Sequence, residues 1–257
     1  MSLEQQLISL LTLVRKEVGR VIRIWLQTIV PPIITMSLYF VIFGNLIGRR
    51  IGEMGGFEYM QYIAPGLIMM SVITNSYGNV VSSFFGAKFQ RHLEEMLVSP
   101  MPTYAIILGH VAGGMVRGLM VGAVVTLIAL FFTEVKIANV FITLSVVVLT
   151  SAVFSLGGLV NAIFAKKFDD ISIIPAFVLA PLIYLGGIFY SISLLPPIAQ
   201  KISLLNPILY MVNAFRYGML GVSDIDITHA YIIILTFAVG LFGVCMILIK
   251  KGVGIRE

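Results

Sequence analysis

The chain has 257 residues, 59% of them hydrophobic and 11% charged, with a mean hydropathy of +1.03. A soluble globule is about half apolar and a quarter charged, so this composition excludes one and points to a bilayer. The net charge of +5 is spread along the chain rather than massed in a stripe, which speaks against a nucleic-acid partner, and the single cysteine, Cys245, excludes an intrachain disulfide or a cysteine-based metal site.

At the start, Leu3, Leu7, Leu10, Leu11, Val14 and Val18 recur at spacings of three and four, with Glu4, Gln5, Ser9, Lys16 and Glu17 on the other face. This pattern predicts an amphipathic helix over about 2–20, lying in the cytoplasmic interface. The same stretch lacks the basic n-region and cleavage site of a secretory signal, so the first span should direct insertion. That span covers about 24–47, anchored by Trp25 and kinked by Pro31 and Pro32. A polar turn over 48–58 leads to a second span, about 59–85, and then to a cytoplasmic segment from Lys88 to Pro102.

The glycine-rich third span, about 104–132, returns through a tight turn at Thr133–Lys136, which makes it an antiparallel neighbour of the fourth, about 138–165. Lys166, Lys167, Asp169 and Asp170 mark a water-facing turn before the fifth span, about 171–190. Residues 191–228 are apolar but broken by Pro196, Pro197 and Pro207, too interrupted to span directly, and a last span covers about 229–249. With the N-terminus inside, Arg15, Lys16, Arg20, Arg23, Lys88, Arg91, Lys166, Lys167, Lys250, Lys251 and Arg256 are cytoplasmic. Arg49, Arg50, Lys136, Lys201 and Arg216 are then outside, and the positive-inside rule puts both termini in the cytoplasm. The expected fold is an all-α membrane protein of one domain, 1–257. It has the interfacial helix, six transmembrane helices and a re-entrant outer segment before the last span.

Three regions carry candidate function. Lys88 to Pro100 reads as a short amphipathic helix with Phe89, Leu93, Met96 and Leu97 on one side and charges on the other, either seated on a cytoplasmic partner or lying on headgroups. In span two, Ser71, Asn75 and Asn79, with Gly78 and Ser82, form a polar stripe that lines either a translocation surface or an interhelical hydrogen-bonded seam. In span three, His110, Gly114 and Arg117 share a face; Arg117 contacts an anionic substrate or bonds the helix-end carbonyls of a neighbour. Asn206-Pro207 has the N-cap and N1 pattern of a helix carrying Phe215 and Arg216, and with Pro196 and Pro197 it suggests a hairpin on the outer side.

The stretches "RHLEEMLVSPMPTY" and "LLNPILYMVNAFRYGMLG", with the N-terminal helix and six spans, resemble the ABC-2 type permeases of ATP-binding-cassette exporters, most of all the YadH-type inner-membrane permeases of Gram-negative bacteria. The resemblance covers nearly the whole chain. It implies a bacterial inner-membrane half-transporter that pairs with a second copy of itself and with two separate ATPase subunits, which hold the ATP and magnesium. It also implies that Lys88, Arg91, His92, Leu93, Glu94, Glu95 and Met96 form the coupling helix. Asn206, Pro207, Phe215 and Arg216 would close the outer end of the pathway, and Ser71, Asn75, Asn79, His110 and Arg117 are the candidates for its wall. No cofactor or metal is expected on this chain.

The chain itself has no G-x-x-x-x-G-K-[ST] phosphate-binding loop, so energy has to arrive by contact. An ion-coupled secondary transporter, the alternative, usually holds a carboxylate inside the membrane, whereas all twelve acidic residues here are expected in loops, at termini or at span edges. A membrane enzyme would need paired carboxylates or a metal cluster; His92 with Glu94 and Glu95, or Asp169 with Asp170, lack the spacing.

Overall fold

In the computed structural model, which describes residues 2–254, the chain forms one helical bundle. The basic residue expected at Arg256 lies outside the described residues. Helix α1 (Leu3–Arg23) starts on a capping box: Ser2 Oγ accepts from Gln5 N at 3.3 Å and Gln5 Oε1 accepts from Ser2 N at 3.0 Å. At Ile24 the chain leaves helical geometry for one residue, and α2 (Trp25–Tyr39) continues through Pro31 and Pro32 into a π-helical stretch, Phe40–Gly48, and a turn of helix, α3 (Arg49–Ile51).

The outer turn is more ordered than expected. Strands β1 (Glu53–Met54) and β2 (Phe57–Glu58) pair antiparallel, with Met54 opposite Phe57. Gly55 and Gly56 have φ of +60° and +80°, the signature of a two-residue hairpin turn that favours glycine at both positions.

Helix α4 (Tyr59–Phe89) is the centre of the bundle and buries most of its length against α6, α7 and α11. It runs four residues past the expected end of span two, so Lys88 and Phe89 belong to it and not to the following helix. Arg91 then adopts φ +63°, the only positive φ at a described non-glycine residue, and this sharp turn separates α4 from α5 (His92–Val98). Helices α6 (Thr103–Ala129), α7 (Val140–Phe164) and α12 (Ile227–Lys251) match the expected spans three, four and six to within a few residues. Asp226 caps α12, accepting from His229 N at 3.0 Å, and that bond holds its carboxyl below the ordinary value of 3.8.

Among the described residues, four segments are long and apolar enough to cross a membrane: Trp25–Gly48, Thr103–Ala129, Val140–Phe164 and Ile227–Lys251. Helix α4 is longer than any of them but more polar, because protein rather than lipid covers most of it. The expected fifth span is shorter than predicted. α8 (Asp170–Ile174), a π-helical turn (Pro175–Leu179) and α9 (Ala180–Tyr184) run on from one another and stop before Gly187, at φ +70°. Those 15 residues rise about 22 Å, against the roughly 30 Å of a hydrocarbon core. A 3₁₀ turn (Ile192–Leu194), α10 (Pro197–Ser203) and α11 (Pro207–Leu220) follow.

Glycine sets the helix spacing. On α6, Gly109 and Gly113 face Leu13 and Glu17 of α1, while Gly114, Gly118 and Gly122 face Val80, Ser76 and Val72 of α4. The pairing of Leu13 with Gly109 and Glu17 with Gly113 makes α1 run alongside α6 in the same direction, with Tyr104 Oη donating to Gln6 Oε1 at 2.7 Å. The docked face is therefore Leu13, Glu17 and Val21, all buried, and Leu3, Leu7 and Leu11 of the apolar stripe remain exposed. Glu17, expected on the solvated face, is inside.

Candidate functional site

At the end of the bundle expected to face the cytoplasm, α5 has one fully buried side chain. Leu93 is 1% exposed and packs with Phe84, Phe85, Ile106 and Ile107, with Met96 and Leu97 partly covered beside it. Arg91, His92, Glu94 and Glu95, four of the residues expected to couple to a partner, are exposed on one open surface. Ser99 Oγ donates to Met96 O at 2.6 Å and Pro100 follows, which ends the helix. Lys88 points elsewhere: its ammonium donates to the carbonyls of Ile163 at 2.8 Å and Ala165 at 2.6 Å, at the end of α7.

One level outward, α1, α4 and α6 meet around Glu17, 1% exposed. Its carboxylate accepts from Ser83 Oγ and from Arg20 Nε at 3.4 Å, with His110 Nε2 and Lys16 Nζ each at 3.9 Å. Arg20 reaches across to Asn79, donating through Nη2 to the side-chain oxygen at 2.8 Å and to the backbone oxygen at 3.2 Å. Asn79 and His110 are fully buried in these contacts, and His110 Nδ1 lies 2.9 Å from Ile106 O. A buried carboxylate needs such partners, because an unpaired one would lose its hydration without compensation. Glu17 and Arg20 escaped sequence reasoning, which had only the polar side of a periodic pattern to go on.

The remaining stripe residues are bonded to their own helix. Ser71 Oγ donates to Leu67 O at 3.1 Å and Asn75 Nδ2 to Ser71 O at 3.0 Å. The open side of α4 lies beside them: Thr74, Gly78 and Ser82 are exposed at four-residue spacing, and nothing lies within 4 Å of a Cβ placed on Gly78. A groove of about 140 Å³ runs between this face and the short fifth helix, lined by Thr74, Tyr77, Leu179 and Ile183 among others. Arg117 is half-buried on the α1-facing side of α6, one turn beyond Gly113, and its Nε has no hydrogen-bond partner among the described residues.

At the opposite end of the bundle, expected to be the outer one, Asn206 caps α11, accepting from Ile208 N at 3.0 Å, and its amide donates to Leu182 O at 2.6 Å, tying the cap to the fifth helix. Pro207 takes the first helical position, and Phe215 is buried in the core. Arg216 is 0% exposed. Its guanidinium donates to Gly187 O at 2.6 Å, Tyr62 O at 3.3 Å and Asn213 Oδ1 at 3.4 Å, and lies 4.1 Å over the Tyr62 ring. Asp224 completes the knot: it accepts from Ser191 Oγ at 2.7 Å, Ile192 N at 3.1 Å and Tyr62 Oη at 3.5 Å. A cavity of about 550 Å³ lies between this knot and the β1–β2 hairpin. Asp224 and Tyr62 gave no motif, since their partners are 33 and 162 residues away in sequence from one another.

Among the described residues no group of three or more His, Cys, Asp or Glu could hold a metal ion.

A family model of the ABC-2 type transporter matches residues 8–220. The chain is 57% identical over 251 residues to the inner membrane transport permease YadH of Escherichia coli (strain K12), covering 97% of this chain and 98% of that one. It is 24% identical over 192 residues to nodulation protein J of Neorhizobium galegae, covering 74% and 73%, and 26% identical over 185 residues to nodulation protein J of Sinorhizobium fredii, covering 72% and 70%.

Proposed function

The chain belongs to the ABC-2 type transporter family, and on that premise we propose that it is the transmembrane subunit of an ATP-driven exporter in the bacterial inner membrane. Two copies form the pathway, and two separate ATP-binding-cassette subunits drive it from the cytoplasm. Helix α4 and the segment that begins with α8–α9 and runs on to about residue 190 complete six crossings, both termini are cytoplasmic, and residues 191–228 form the re-entrant outer cap.

The observation that carries the reading is the stance of α5: one buried leucine holds it to the bundle while Arg91, in the left-handed turn, and His92, Glu94 and Glu95 beyond it are exposed. A helix held that way can be pushed without unfolding the bundle, which suits an input lever. Of the residues expected along the pathway, Asn75 flanks the open face Thr74–Gly78–Ser82, which is the surface two copies present to cargo. Ser71, Asn79 and His110 support that face from behind.

Ion-coupled transport draws on one observation, the buried Glu17 beside His110. That carboxylate is already engaged by Arg20 and Ser83, which leaves little of it for a travelling ion.

The test is recovery of an ATP-binding-cassette subunit with the affinity-purified chain from its native membrane. Glu94→Lys with Glu95→Lys should cut that recovery at least tenfold, with unchanged yield and elution of the permease. Recovery of no ATPase with the unaltered chain would end the exporter reading, and full recovery with the double variant would end the docking assignment.

A further inference from the structure

The two cytoplasmic turns of this chain are bolted to each other. Helix α7 ends at Phe164, and its last carbonyls have no donor within the helix. The Lys88 ammonium, on the last turn of α4, supplies one to Ile163 O and one to Ala165 O. A cation is favourable there for a second reason, since α4 and α7 both bring their negative dipole ends to this level. An aromatic cluster closes over the same joint. Phe168, in the turn after α7, meets Phe85 edge to face at 5.0 Å and Phe89 at 4.9 Å.

The far end of α7 is clamped as firmly. Ala138 N and Asn139 N donate to Met219 O at 2.9 Å and Gly218 O at 2.8 Å, and a Cβ on Gly218 would lie 2.8 Å from Thr143 N. These are the last residues of α11, the helix that carries Asn213 and Arg216 into the outer knot. Helix α7 is therefore a rod of about 37 Å with Lys88 at one end and the outer cap at the other.

We propose that Lys88 is a positioning residue that makes α7 follow the coupling helix, so that a push on α5 reaches the outer cap through α7 as well as through α4. The inference rests on the docking role proposed for α5. Backbone continuity alone is a poor carrier between α5 and α7, because α5 is joined to α4 through the Arg91 turn and to α7 by no covalent path shorter than α6. The ammonium, on the last turn of α4 just before the Arg91 turn, ties that end of α4 to the end of α7 and so shortens the route from α5 to α7. Lysine at this position thus faces the bundle and not the ATPase, which separates it from Arg91, His92, Glu94 and Glu95.

Two measurements test this. Spin labels at Gln90→Cys and Lys167→Cys report the joint in the chain alone; the native Cys245 is buried and leaves the background clean. Lys88→Met should broaden that distance distribution at least twofold, and Lys88→Arg, which still donates to carbonyls, should restore it. In the complex with its ATPase, maleimide labelling of Val222→Cys, which lines the outer cavity, should change at least threefold on vanadate trapping. Lys88→Met should abolish that change while the ATPase still co-purifies, and Lys88→Arg should keep it.

A full response in Lys88→Met, loss of ATPase binding in that variant, or no response at Val222→Cys in otherwise unaltered complex each overturns the transmission role. If no ATPase binds the unaltered chain, the exporter reading has failed and the transmission role with it, and the spin-label distance alone then reports whether the joint exists.

Discussion

Gly158→Ala and Gly78→Ala make the same chemical change on two helices of one bundle, and the structure gives them opposite signs. A methyl group on Gly158 of α7 would lie 2.5 Å from Tyr77 O and 3.2 Å from Val81 Cγ2 of α4. The first obstacle is backbone, so the two helices must part by several tenths of an ångström along their longest shared contact. Overpacking of this kind costs about 1–3 kcal/mol, and the better helix propensity of alanine returns up to about 1 kcal/mol. A net loss of about 1–2 kcal/mol is expected. At Gly78 nothing stands within 4 Å, so only the propensity gain of up to about 1 kcal/mol applies. Because the propensity gain is common to both, unfolding by SDS titration in mixed micelles, followed by far-ultraviolet circular dichroism, should separate the two variants by the overpacking cost of about 1–3 kcal/mol. Equal stabilities would refute the claim that glycine at 158, and not at 78, is there to let α4 and α7 touch.

Arg216→Met removes a charge-assisted hydrogen bond of about 1.5–3 kcal/mol and a buried cation–π contact of about 2 kcal/mol, partly offset by the relief of guanidinium desolvation. A net loss of about 2–3 kcal/mol is expected in the same titration, with Arg216→Lys falling between, since an ammonium lacks the fork that reaches three acceptors. A loss below 0.5 kcal/mol, roughly the floor for a net hydrogen bond, would mean that the outer knot is not held by this residue. Glu17→Ala leaves His110 and Ser83 facing a void and should release α1 from α6, costing about 3 kcal/mol. Glu17→Gln, which keeps an acceptor for Ser83, should cost less than half of that. Faster tryptic cleavage after Arg15 and Lys16 in Glu17→Ala, measured in reconstituted vesicles, is the check; identical digestion of both variants would argue against it.

Spacing and small residues were legible where one physical rule acts alone. Span three is rich in glycine, which at helical spacing lets another helix approach closely, and the structure puts five of those glycines against α1 and α4. Asn206-Pro207 predicted a capped helix, and α11 starts there with the expected bond. Burial was less legible, because two apolar solvents compete for each helix. Leu3, Leu7 and Leu11 satisfy the pattern of a docking face, yet the bilayer surface rewards them equally, so α1 is free to dock through Leu13, Glu17 and Val21. The fifth span was overestimated for a related reason. Leu185 to Tyr190 is apolar enough to continue a helix, but the turn at Gly187 instead aims its carbonyl at Arg216. The hairpin over 53–58 did carry its signal, a Gly-Gly pair at 55 and 56 between short runs of alternating polarity.

Helices in lipid gain little from burying leucine against leucine, since acyl chains are as apolar as the partner helix. Register along α4 must then come from groups that lipid cannot satisfy, and the structure places such groups at three levels. Lys88 grips α7 at the inner end, Asn79 and Ser83 grip α1 through Arg20 and Glu17 at the next, and the Tyr62 carbonyl and ring hold Arg216 at the outer end. Each grip lies on a side of α4 that protein already covers. The side left open carries Thr74, Gly78 and Ser82, whose hydroxyls bond to their own helix and so ask for no fixed partner. A helix pinned on its covered sides and unpinned on its bare one can slide a small distance against whatever meets that bare face without breaking a bond. If this face meets a second copy of the chain and lets cargo pass, as proposed, that division of polar groups matters more than the apolar content that first marked the chain.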